Sequence, residues 1–138
     1  MMGPFPLSIS FWCTLLQHSS SRHKKDTPIV LGPAELLTLQ RAAHDVHVSD
    51  TLLAYLQALV ARTRAQLRLG LSPRAAQGLM RAAQALALID GEDAVLPEHI
   101  QIVFPAIAAH RLVARDGDAT ERGAEIADEL IRATPVPV

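Results

Sequence analysis

The chain lacks most of what a stapled or metal-built domain requires. It has one cysteine, Cys13, in 138 residues, so no internal disulfide can form and a reducing, cytoplasmic setting is expected. Aromatics make up 4% against 49% hydrophobic residues, so the core has to come from Leu, Ala, Ile and Val. No uncharged apolar stretch approaches the roughly 20 residues of a bilayer crossing, which leaves no candidate membrane span. There is no G-x-x-x-x-G-K-[ST] phosphate loop and no apolar strand ending in Asp-Glu to hold Mg²⁺. Zinc-type Cys/His spacing and a G-x-S-x-G elbow are also missing, and His44 and His47 have no third ligand beside them. No catalytic residue, no metal site and no ATP hydrolysis by this chain alone are therefore expected.

Acid is missing from one long stretch. Between Thr51 and Ile89 there is no Asp or Glu, while Arg62, Arg64, Arg68, Arg74 and Arg81 stand there unopposed. From Asp90 onward the balance reverses, with ten acids against four arginines, and the whole chain carries −1. That overall charge, the acidic second half and the few aromatics argue against a nucleic-acid binder. The asymmetry fits either a face turned toward an anion or an ordinary solvated surface.

What is present centres on Leu69 to Gly91, LGLSPRAAQGLMRAAQALALIDG. Ser72 is a good N-cap, because its hydroxyl can accept from an unpaired first-turn N–H, and Pro73 suits the first helical position. Ala75, Leu79, Ala82, Leu86 and Ile89 form one apolar row, Ala76, Met80, Ala83 and Ala87 a second, and Arg74, Gln77, Arg81 and Gln84 a polar stripe. A helix this apolar is expected to be the central helix of a bundle. Arg74 is out of place, since a cation in the first turn faces the positive end of the helix dipole. Two readings stand: a solvated surface arginine, or one wall of a phosphate or carboxylate site built with the free N–H groups of the helix start.

Four more helices frame this one. Pro33 to Val46 carries Leu36, Leu39, Ala43 and Val46 on one face. Ser49 caps a second helix with Leu52, Leu56, Leu59 and Thr63 inward. Pro97-Glu98 opens a fourth with Ile100, Val103, Ile107 and Ala108, in which Pro105 predicts a kink or a break. Asp118 and Glu121 form a capping-box variant for a last helix bearing Ala124, Ala127, Leu130 and Ile131. Val46 to Val48 and His110 to Val113 could pair as a minimal two-strand element. The fold class is all-α, a small bundle of about five helices.

Met1 to Thr27 reads differently. It holds the only Trp and two of the three Phe, then passes through Ser19-Ser20-Ser21 into Arg22-His23-Lys24-Lys25. No positive residue precedes LSISFWCTLL, so it is not read as an export signal. Residues 1–31 are taken as a leader, expected to be disordered, with 1–27 dispensable, and 32–138 as the helical domain.

The sequence LGLSPRA (Leu69 to Ala75) resembles the signature of the lid subdomain in MoxR-type AAA+ ATPases. HVSDTLLAYLQALV (His47 to Val60), Thr63-Arg64, Gly91, Val95, Pro97-Glu98 and FPAIAAHRL (Phe104 to Leu112) extend the likeness over roughly Gly32 to Pro137. By that resemblance the fold is an AAA+ lid and Arg74, framed by Ser72 and Pro73, is the sensor-2 arginine that reaches toward the γ-phosphate, with Arg64 and Arg81 as supporting anion contacts. The resemblance further implies ATP with Mg as a cofactor only in a full-length ATPase, and an AAA+ core domain and neighbouring ring subunits as partners. It adds a von Willebrand factor A domain protein as a further partner and a chaperone-like role. Glu92, Ala94 and Leu96 depart from the pattern; without the usual Thr cap before Pro97, the fourth helix should start less firmly. The family's nucleotide-binding core is the largest absence, so the chain is expected to be part of a longer ATPase or a degenerate product of one. The alternative is a stand-alone helical interaction module with no nucleotide role.

Overall fold

A computed structural model describes residues 30–113 and 122–136. Among them lie five helices, α1 (Pro33–Asp45), α2 (Asp50–Gln66), α3 (Pro73–Asp90), α4 (Pro97–Ala108) and α5 (Gly123–Ala133), with isolated β-bridges in place of strands. The all-α bundle is therefore observed, and none of the described helices is long and apolar enough to cross a membrane. The chain divides into Met1–Glu35 and Leu36–Val138. Of the first unit, the described part is residues 30–35, the approach to α1 and its first residues, where the Gly32 N–H donates to Glu35 Oε2 at 2.7 Å. Most of the leader, with Asp118 and Glu121 of the anticipated capping box, falls outside the described residues.

The second unit is assembled around α4, which packs against α3, α5 and α2. Ile100, Phe104 and Ala108 of α4 are fully buried, and each large side chain so placed is worth about 1.5–3 kcal/mol of apolar burial. The central place expected for α3 thus belongs to α4. Alanine counts as apolar in a periodic pattern, yet it offers little area to bury, whereas Ile and Phe draw neighbours around them. Helix α3 buries only Ala75, Leu79, Ala83, Ala87 and Gln84. Ile89, expected inward, is 79% exposed.

Gln84, assigned to the polar stripe, is buried with a defined task. Its Nε2 donates to the carbonyls of His44 and Val46, both at 3.1 Å, and so ties the end of α1 to α3. The α1 row itself stays open: no residue of the helix is buried, and Leu36, Leu37 and Leu39 remain about half exposed. Only Val46, past its end, enters the core. Helix α2 behaves as its spacing predicts, burying Leu52, Leu56, Leu59 and Thr63, with Tyr55 and Val60 added. Ser49 caps it, accepting from the Leu52 N–H at 3.2 Å.

Of the kink or break expected at Pro105, the break does not occur: helix α4 continues through Pro105 to Ala108. Its start is firmer than Leu96 alone would make it, because His99 Nδ1 accepts the Leu96 N–H at 3.0 Å from within the first turn. His99 Nε2 then lies 3.4 Å from Asp90 Oδ2, joining the start of α4 to the end of α3. Between them Gly91 adopts φ 78°, the left-handed conformation of a helix end, with Gly91 N–H donating to Leu88 O and Glu92 N–H to Ala87 O. In α5, Gly123, Ala127 and Leu130 face inward, but Ala124 is exposed. A side chain at Gly123 would run into the Ala109 carbonyl, so the crossing of α5 over the end of α4 depends on glycine.

The expected pairing of Val46–Val48 with His110–Val113 is replaced by two separate bridges. His47 pairs in parallel with Ala94, and Leu69 pairs antiparallel with Val113. Only His47 and Val113 of the two segments pair: His110 and Arg111 form a turn off the end of α4, with the Arg111 and Leu112 N–H groups donating to the Ala108 carbonyl, and hydrophobic pattern carries no information about which segment lies beside which.

Candidate anion-binding site

The start of α3 is set by its own residues. Ser72 has extended backbone angles and its Oγ accepts from the Ala75 N–H at 3.2 Å, with Pro73 at the first helical position. The first turn carries no acid, and Arg74 is its only charge. The loop leading in is clamped to α2. Thr63, fully buried, donates from Oγ1 to the Val60 carbonyl at 2.7 Å and accepts the Leu71 N–H at 3.0 Å. Arg64 Nε donates to the Leu71 carbonyl at 2.9 Å. Both backbone groups of Leu71 are thereby satisfied, and its side chain is buried. Gly70 makes this approach possible, since a Cβ there would lie 2.7 Å from Arg64 N and 2.8 Å from the Thr63 carbonyl carbon.

On the other side the same loop is held by the bridge to Val113. Arg68 N–H donates to Val113 O at 2.9 Å, and Val113 N–H to Leu69 O at 3.3 Å. This pairing brings the segment after α4 alongside the start of α3. A depression of about 720 Å³ opens there, lined by Ser72, Arg74, Gln77, Gly78, Arg81 and Arg111. Arg74, Gln77, Gly78 and Arg81 follow helical spacing on one exposed face of α3, and nothing stands within 4 Å of where a Cβ on Gly78 would be. Three guanidinium groups and, among the described residues, no carboxylate line the depression.

Of the residues singled out from the sequence, Ser72, Arg74 and Arg81 meet here, with Pro73 shaping the turn. Arg64 does not join them: it holds Leu71 and lines a separate apolar groove between α2 and α3. Arg111 was missed as a site residue. It sits in the FPAIAAHRL stretch, but nothing local points to it, since only the Leu69–Val113 bridge carries it to α3.

The profile of the AAA lid domain family matches residues 59–132. Among curated proteins, YeaC of Bacillus subtilis is 33% identical over 127 residues, covering 86% of this chain and 40% of YeaC. That share is larger than residues 32–138 supply, so the likeness continues into residues 1–31. The chaperone MoxR1 of Mycobacterium tuberculosis is 36% identical over 95 residues, covering 61% of this chain and 25% of MoxR1. The MoxR protein of Methylorubrum extorquens is 42% identical over 64 residues, covering 46% of the chain and 18% of that protein. A crystal structure of a provisionally assigned ATPase from Cytophaga hutchinsonii superposes with TM-score 0.69 at 23% identity, over 97% of this chain and 45% of that one, and shows the same fold. The chain spans less than half the length of each of these relatives. With the family profile matched over more than half of the chain, and the SPR element at the head of α3, the protein belongs to the AAA lid domain family and is MoxR-like.

Proposed function

We propose that this chain serves as the lid of a MoxR-type AAA+ ATPase, with Arg74 as the sensor-2 arginine facing the phosphates of ATP bound, with Mg, on a core domain. Ser72 and Pro73 fix the helix start from which Arg74 projects. In this reading the lid couples nucleotide state to neighbouring ring subunits in a chaperone-like assembly, with a von Willebrand factor A domain protein as a further partner, and works in the cytoplasm. Hydrolysis requires the core, because the phosphate loop and the metal-holding acids are not in this sequence. The half-exposed Leu36, Leu37 and Leu39 of α1 would be covered in the assembly.

The observation that carries the proposal is the charge at the head of α3. Arg74 opposes the helix dipole, and among the described residues no carboxylate pairs with it or lines its depression. An anion brought to the helix start would reverse the sign of that interaction. The test is Arg74→Ala in a full-length ATPase bearing this lid. Loss of a charge-assisted contact should lower nucleotide-dependent activity by roughly tenfold to hundredfold. Full activity in that variant would refute the assignment. Supplying a nucleotide-binding core in trans with ATP separates this proposal from a stand-alone interaction module, which would be indifferent to the addition.

A further inference from the structure

Among the described residues lining the depression, Arg111 is the one that belongs neither to α3 nor to its Ser72 cap. It follows the end of α4, where its N–H donates to the Ala108 carbonyl at 2.8 Å, and precedes Leu112, which is buried. Val113 then pairs with Leu69, three residues before Ser72. The backbone on both sides of Arg111 is therefore fixed, one side to α4 and the other to the loop that enters α3. Its side chain is exposed, and Nε donates to His110 Nε2 at 3.2 Å, while no described residue accepts from the two terminal amino groups of the guanidinium.

The placement is costly without a ligand. Arg74, Arg81 and Arg111 border one depression, no acid among the described residues lines it, and like charges repel across it. Arg81 lies two turns along α3 from Arg74, about 10 Å at 1.5 Å per residue. A single phosphate or carboxylate at the head of α3 could engage Arg74 but would leave the remaining positive charge uncompensated. A chain of phosphates can answer several guanidinium groups together, each through a bidentate fork.

We propose that Arg111 is a second anion-contacting residue of this depression, which makes it a site for a polyphosphate chain and not for a lone phosphate. The proposal rests on the reading of Arg74 as a phosphate contact and adds a residue from another segment. It also gives the Leu69–Val113 bridge a role, because the bridge holds the two arginine-bearing segments together.

The test uses the 138-residue chain, with sodium tripolyphosphate and orthophosphate as probes, titrated by isothermal calorimetry at fixed ionic strength. The wild-type chain should bind tripolyphosphate more tightly than orthophosphate. Arg111→Ala should weaken tripolyphosphate binding about fivefold, the upper range for an exposed charged contact, and change orthophosphate binding less than twofold. Arg132→Ala on α5 removes the same charge away from the depression and should leave both affinities unchanged; Arg111→Lys should recover part of the loss. Thermal melting of each variant should match the wild type, and Arg111→Lys carries the comparison should the alanine variant melt early. Equal affinity for the two anions, unchanged tripolyphosphate binding in Arg111→Ala, or an equal loss in Arg132→Ala would overturn the proposal. If Arg74→Ala weakens binding while Arg111→Ala does not, only this proposal falls. If Arg74→Ala has no effect either, the phosphate reading of Arg74 falls with it.

Discussion

At its C-terminal end α3 presents Asp90 to the negative pole of the helix dipole, and at its N-terminal end it presents Arg74 to the positive pole. Both charges have the unfavourable sign, but their surroundings differ. Asp90 has His99 Nε2 at 3.4 Å, Gly91 closes the helix in the left-handed conformation, and Gln84 ties the last turns to the carbonyls of His44 and Val46. Arg74 has no such answer among the described residues; it borders an open depression beside Arg81 and Arg111. The C-terminal end is completed inside the bundle, while the N-terminal end is geometrically rigid and electrostatically incomplete. Rigid placement of an uncompensated charge is what a binding site for an opposite charge requires.

The largest effect should come from breaking the rigidity of the N-terminal end. Gly70→Ala puts a Cβ 2.7–2.8 Å from the backbone of Thr63 and Arg64, which cannot yield, so a loss of about 3 kcal/mol is expected by urea denaturation, with the loop forced away from α2. A wild-type midpoint in that variant would mean the loop is not held as described. At the other end, Gln84→Ala leaves the His44 and Val46 carbonyls without their buried donor and should cost about 2 kcal/mol, measured the same way, without changing anion binding. The smallest effects sharpen the comparison directly. Arg74→Ala removes an unanswered charge and should stabilise the isolated chain by about 0.3–1 kcal/mol. Asp90→Asn removes an unfavourable charge and its His99 contact together, so stability should stay within about 0.5 kcal/mol of wild type, given the exposure of Asp90. Equal gains from the two substitutions would show that His99 does not compensate Asp90.

Much of the bundle was legible because local chemistry decides it. The Ser49 and Ser72 caps, Pro73 and Pro97 at helix starts, the Gly91 stop and the buried face of α2 all follow from a few neighbouring residues. The failures have a common cause. Leu36 and Leu39 share a face of α1 as expected, yet nothing in the described structure covers them; periodicity reports which residues point together and not whether a neighbour arrives. Gln84 was misread for the converse reason, since a polar side chain is buried readily when two carbonyls wait for its N–H groups. Pro105 stays within a helix because α4 is surrounded by α2, α3 and α5, whose packing outweighs one absent hydrogen bond.

The candidate site divides in the same way. The sequence by itself determined the SPR helix start, the placement of Arg74 against its dipole and the acid-free run from Thr51 to Ile89, because caps, dipoles and local charge act within one or two turns. Tertiary structure alone decided that Arg64 would be committed to the Leu71 carbonyl, that His99 would face Asp90, and that Arg111 would reach the head of α3. Each of those outcomes depends on backbone pairing or close approach between segments distant in the chain, at Gly70 against α2 and at Leu69 against Val113. Such contacts are set by how whole helices pack, and no single segment encodes them.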